Sequence, residues 1–91
     1  MKIFQSRSFL NKVKKISENH KSILDKEIKK IIKNPEIGEE KKGDLRGVFI
    51  HKFKIKTLLY LLAYRFKDEN LELIMIGPHE NYYKDLKKNL K

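Results

Sequence analysis

The run Ile76-Gly77-Pro78-His79-Glu80-Asn81-Tyr82-Tyr83-Lys84-Asp85-Leu86 gathers side chains suited to acid–base chemistry. An imidazole titrates near neutrality and passes a proton in either direction. A phenol donates a proton or stacks on an unpaired base. The run follows an apolar, strand-like segment, Leu71 to Ile76, and opens into a helical pattern. His79, Tyr82 and Tyr83 are therefore expected at a strand-to-helix corner, where side chains converge on a ligand. A histidine at a helix start also serves as a cap, and a tyrosine there as a hydrophobic staple. What surrounds the corner decides between these roles.

The surroundings are basic. Lys and Arg number 22 against 12 Asp and Glu, a formal net charge of +10. Such an excess points to a polyanion or an acidic protein partner. In Val48–Ile55, Phe49, His51, Phe53 and Ile55 share one strand face, and Val48, Ile50, Lys52 and Lys54 the other. The aromatic face is expected to pack on helices, leaving Lys52 and Lys54 on an open sheet face. In the next strand Tyr60, Leu62, Tyr64 and Phe66 alternate with Leu59, Leu61, Ala63 and Arg65. With the tyrosines inside, Arg65 joins the two lysines outside. Metal-free RNA cleavage needs this chemistry: a 2′-hydroxyl loses a proton, a 5′-oxygen gains one, and cations offset the charge on phosphorus.

The other candidates read as structural. His51 shares its face with Phe49 and Phe53, so it is expected to pack rather than to catalyse. His20 is placed in a turn between helices. Three scattered histidines, with no cysteine in the chain, predict neither a metal site nor a cofactor. Glu39/Glu40 and Asp68/Glu69 fall in predicted loops and read as solvated. The absence of cysteine fits a reducing compartment. No apolar run reaches the roughly 18 residues of a membrane span, and residues 1–7 do not read as a signal peptide. A cytoplasmic protein without membrane contact is expected.

The supporting elements follow from periodicity. Lys2-Ile3-Phe4 reads as a short edge strand, and Ser6 or Ser8 as a helix cap. Phe9, Val13 and Ile16 recur at helical spacing, and a second helix is expected from near Ser22, carrying Leu24, Ile28, Ile31 and Ile32 inward. Asn34-Pro35 ends it. A polar loop, 36–44, precedes strands Val48–Ile55, Leu58–Phe66 and Leu71–Ile76, with a hairpin turn at Asp68-Glu69-Asn70. A last helix is expected from His79 to Leu90. The fold class is α+β: an N-terminal helical hairpin packed on a three- to four-stranded antiparallel sheet, with a short C-terminal helix, in one domain spanning residues 1–91.

The order of words along the chain resembles the RelE/ParE superfamily of bacterial type II toxins. The resemblance lies in Asn34-Pro35-Glu36-Ile37, Lys42-Gly43-Asp44-Leu45-Arg46-Gly47, His51-Lys52-Phe53-Lys54-Ile55, Tyr60-Leu61-Leu62-Ala63-Tyr64 and the closing Ile76 to Tyr83. It implies a RelE-like, microbial RNase-like fold and a cognate antitoxin. It also implies one of two activities: ribosome-dependent mRNA cleavage with rRNA contacts, or inhibition of DNA gyrase. Carried over, Lys52 and Lys54 match the basic strand pair. His79 matches the residue acting on the scissile phosphate, and Tyr83 the C-terminal aromatic. Arg65, Arg46, Lys42 and Tyr82 are the expected substrate-binding residues. One position departs: where the RelE branch carries a catalytic arginine, this chain has Leu61, and Arg65 stands about 13 Å further along an extended strand. The expectation is a toxin that cleaves mRNA, with the gyrase inhibitor as the alternative.

Overall fold

The computed structural model describes residues 1–80 and 82–90; Asn81, within the corner run, lies outside the described residues. Among the described residues, three α-helices and five strands follow in the order β1 (Lys2–Gln5), α1 (Arg7–Lys14), α2 (Glu18–Lys33), β2 (Glu39–Glu40), β3 (Phe49–Ile55), β4 (Leu58–Lys67), β5 (Asn70–Pro78) and α3 (Tyr82–Asn89). They form one sheet in the order β1-β5-β4-β3-β2.

Local chemistry accounts for the boundaries. Ser6 caps α1, its Oγ accepting from the Phe9 N–H at 3.0 Å. Ser17 caps α2, accepting from the His20 N–H at 3.4 Å. The second helix therefore starts earlier than its first apolar residues suggest, and His20 sits in its first turn rather than between helices. Asn34 leaves the helical region, at φ −145° and ψ 86°, because Pro35 follows. Asp68 and Glu69 both take positive φ, 53° and 65°, as a two-residue hairpin turn requires.

The α+β class stands, and the sheet differs from expectation in two ways. It has five strands, because Glu39 and Glu40 pair with Ile50 and Phe49. It is mixed rather than wholly antiparallel, because β1 runs parallel to β5, Ile3 opposite Leu71. Ser6 fixes this edge: its N–H donates to Leu73 O at 3.0 Å, and its hydroxyl donates to Ile74 O.

Both faces of the sheet are covered. On one, Phe9, Leu24 and Ile31 of the helices pack against Phe53, Leu62 and Tyr64. This is the aromatic face that alternation assigns to the helices. On the other, Tyr82 and Leu86 of α3 pack over Ile50, Leu61 and Ala63. The expected open face is therefore closed at its centre. A bulge in β5 helps to close it. Ala63 faces Met75 while Tyr64 faces Leu73, so Ile74 is the extra residue. Ile74 and Met75 consequently join the same α3-side layer, which strict alternation forbids.

Tyr64 ties the loop after α2 to this frame. Its hydroxyl donates to Pro35 O at 2.6 Å and accepts from the Gly38 N–H at 3.0 Å. A Cβ on Gly38 would sit 2.8 Å from that hydroxyl and 3.0 Å from Ile50 O, so only glycine fits. The residues that follow, Glu39 to Leu45, are thereby placed beside α3.

Candidate active site

The β3–β4 pairing puts Lys52 opposite Leu61 and Lys54 opposite Leu59. The His79 N–H donates to Leu59 O at 3.0 Å and extends the β4–β5 ladder past Pro78. Lys54, Leu59 and His79 thus form one row across three strands. Two strand spacings separate the ends of the row, about 10 Å between backbones. Both lysines and His79 are exposed. Flexible side chains at the two ends can reach one phosphate between them.

Tyr83 stands beside this row at the start of α3, half-buried, its ring held from several sides. The His79 ring meets it edge-on at 6.5 Å between centroids, and Tyr82 does so at 5.8 Å. Lys41 Nζ lies 5.1 Å from the ring centroid, within cation–π range. Lys41 also pairs with Glu39 at 2.5 Å. Its ammonium is held above the ordinary lysine pKa first by that carboxylate and then by Tyr83, against the opposing effect of burial. Glu39 is in turn lowered, by Lys41 and more weakly by Lys52. A cleft of about 320 Å³ opens here, lined by Lys41, Lys42, Asp44, Leu45, Tyr83 and Lys87.

The structure therefore gathers His79, Tyr83, Lys52 and Lys54 at one end of the sheet and adds Lys42 through the cleft. It also adds Lys41, which sequence reading passed over. Glu39 and Lys41 share a strand face, and the Lys41 N–H continues the pairing by donating to Val48 O at 2.8 Å, but so short a strand shows no period in the sequence.

Three expected substrate-binding residues lie elsewhere. Arg65 shares the face of Lys52 but not its neighbourhood. It sits near the β1–β5 edge, paired with Glu72 at 3.2 Å. Tyr82 is a core residue, 1% exposed, with its hydroxyl donating to Met75 O at 2.6 Å. Burial pushes its phenol well above the usual tyrosine range, so it holds its proton. Arg46 is exposed just after a short 3₁₀ turn, Gly43–Leu45, and does not line the cleft. Leu61, at the position where the resemblance implies an arginine, is fully buried in the layer that Tyr82 and Leu86 complete.

His51 packs on the helix side of the sheet, as parity requires. Its ring stacks on Phe53, and Nε2 lies 2.7 Å from Glu27 Oε1. Burial alone would raise the Glu27 carboxyl, but hydrogen bonds to His51 and Lys30 outweigh it and hold the group below its reference value of 4.5. A carboxyl depressed in the folded state contributes stability above its unfolded pKa and loses it as pH falls through the folded pKa. Urea midpoints are therefore expected to drop as pH falls from about 5 towards the lowered folded value, and Glu27→Gln is expected to flatten that slope. An unchanged slope in the variant would remove Glu27 from the account.

Among the described residues no helix is long and apolar enough to cross a membrane. No curated protein sequence gives a significant match to the chain. Solved structures do. The chain superposes on a free-state double arginine-to-alanine mutant of E. coli toxin RelE with a TM-score of 0.73 at 20% identity, covering 99% of this chain and 97% of that one. It superposes on a chain of the intact E. coli RelBE toxin–antitoxin complex with a TM-score of 0.69 at 21% identity, covering 87% of this chain and 96% of that one. A crystal form of isolated E. coli RelE gives a TM-score of 0.66 at 21% identity over 96% of each chain. These likenesses establish the fold. Over residues 3–87 the sequence matches the family described as ParE-like toxin of type II bacterial toxin–antitoxin system. A match over nearly the whole chain places this protein in that family, as a RelE/ParE-superfamily toxin of a type II toxin–antitoxin system.

Proposed function

We propose that this toxin is a metal-independent endoribonuclease that cleaves mRNA on the ribosome and so arrests translation. The observation that carries this reading is the edge contact of His79 and Tyr83 at the end of the row that begins with Lys54. Lys52 and Lys54 hold and neutralise phosphate. His79 moves the proton, as base towards the 2′-hydroxyl or as acid towards the departing 5′-oxygen. The 2′-oxygen then bonds to phosphorus as the 5′-oxygen leaves, giving a 2′,3′-cyclic phosphate and a 5′-hydroxyl. Tyr83 stacks on the base or shares in the proton transfer. The net charge of +10 supplies rRNA docking through phosphate contacts, which carry affinity without sequence information. A cognate antitoxin with an acidic or amphipathic segment neutralises the basic surface, and the solved RelBE assembly of a protein with this fold supports such a partner.

The buried Leu61 favours a second reading, in which the toxin binds DNA gyrase without cutting RNA. Brief induction separates the two. Primer extension on a reporter mRNA should find new 5′ ends at once, with translation arrested. Intact mRNA together with an SOS response and DNA breaks would replace the nuclease reading by the gyrase one.

A further inference from the structure

The end of the sheet carries four cations with different degrees of freedom. Lys52 and Lys54 project from β3 and are exposed, and Lys42 is exposed in the cleft. Lys41 is different. Its backbone is pinned to Val48, its head is fixed on Glu39 at 2.5 Å, and its side chain is only 24% exposed. Its ammonium caps the face of the Tyr83 ring at 5.1 Å, while His79 and Tyr82 approach the same ring edge-on. Glu39 is itself 66% exposed. A carboxylate that exposed has no packing role of its own here, and its visible effect is to hold Lys41 in place. Its placement depends on the loop that Tyr64 and Gly38 anchor.

We infer that Lys41 is a positioning residue for Tyr83, with Glu39 as the anchor that keeps its ammonium over the ring. This inference rests on the cleavage reading above and assigns a role within the same site. A phenol that can swing about χ1 meets its target only part of the time. A ring clamped between an ammonium and two aromatic edges is aligned before substrate arrives, and misplacement of a reacting group typically costs up to about 10²-fold in rate. The pair also leaves a positive charge beside the phenol without exposing another free lysine to non-productive phosphate.

The test compares Lys41→Met, Lys41→Arg and Glu39→Gln with the wild type in single-turnover cleavage on programmed ribosomes. Lys41→Met keeps the length of the side chain and removes its charge. It is expected to lower the maximal rate about 10- to 100-fold, with the half-saturating toxin concentration unchanged. Lys41→Arg restores the cation and should recover most of the rate. Glu39→Gln should fall between wild type and Lys41→Met. The salt dependence of ribosome binding should be the same in Lys41→Met as in wild type, because a positioning residue neutralises no phosphate. A slope shallower by about one unit would make Lys41 a phosphate contact instead and overturn the inference. A fully active Lys41→Met would also overturn it while leaving the cleavage reading intact. A wild type that does not cleave would defeat the cleavage reading itself, and this inference with it. In free toxin, NMR should show the Lys41 Hε protons shifted upfield by the Tyr83 ring current, and Tyr83→Leu should abolish that shift. Unshifted Hε protons in the wild type would remove the clamp.

Discussion

Replacing His79 by alanine is expected to slow cleavage of ribosome-bound mRNA by about 10²- to 10⁴-fold, the usual contribution of a positioned proton-transfer group. Folding should be unaffected, since the side chain is exposed and the hydrogen bond that places the corner uses the backbone N–H, which alanine retains. Lys52→Ala and Lys54→Ala should behave differently. Each weakens binding as well as the chemical step, and each should reduce the salt slope of binding by roughly 0.7–0.9. His51→Ala is the control. It removes the partner of Glu27 and unstacks Phe53, so it should lower stability without touching the chemistry. Thermal melts and single-turnover rates on the same variants separate the two classes. A His79→Ala protein that cleaves normally, beside a well-folded but inactive His51→Ala, would put the active surface on the helix side and overturn the assignment.

Leu61→Arg is expected to destabilise the protein by about 3–5 kcal/mol, the typical cost of an uncompensated buried charge. For a domain whose total stability is typically about 5–15 kcal/mol, this is a large fraction. Leu61 is fully buried, and its layer is completed by Tyr82 and Leu86 of α3. Among the described residues no acidic side chain is buried, so none is at hand to neutralise the charge. The variant can relieve the charge only by lifting α3 and letting water in. Urea unfolding should show the loss, and hydrogen exchange should show α3 amides losing protection before those of β3 and β4. A variant as stable as the wild type, with α3 still protected, would contradict the packing described here. The experiment also bears on the choice between nuclease and gyrase readings, because it shows that an arginine cannot simply be restored at this place in the sheet.

Features set by neighbouring residues were legible in the sequence. Alternation placed Phe49, His51 and Phe53 on the helix side. Ser6 or Ser8 announced a cap, which Ser6 supplies, and Pro35 announced a helix end and Asp68-Glu69-Asn70 a hairpin turn. The corner at His79 followed from a strand pattern running into a helical one, and the structure does bring Tyr83, Lys52 and Lys54 to the same end of the sheet. The misreadings involve partners distant in the chain. Nothing local in Lys2–Gln5 says that it will pair with residues near 70, or in which direction. Two residues, Glu39-Glu40, are too few to show a period. Ile74 and Met75 occupy one layer only because a bulge resets the alternation. Tyr82 and Tyr83 are identical in type and adjacent, and only the rotation of α3 sends one inward and leaves the other at the cleft. Lys41 was hidden for the same reason: its role comes from Tyr83, which lies far along the chain.

The Ser6 anchor has a consequence for the timing of assembly. The hydroxyl that caps α1 is bonded to a carbonyl 68 residues further along the chain. At typical synthesis rates of about 5–20 residues per second, that acceptor is made roughly 3–14 s after the serine. Until then β1 has no neighbour in the sheet, because β5 is its pairing partner. Ile3 and Phe4, still 44% and 52% exposed in the finished protein, spend those seconds as bare apolar side chains on an unpaired segment. Local helices and the β3–β4 hairpin can form early, whereas the edge that joins the beginning of the chain to its later part forms late. A growing chain of this toxin therefore passes through a stage in which its N-terminal segment is sticky, incomplete and open to chaperones.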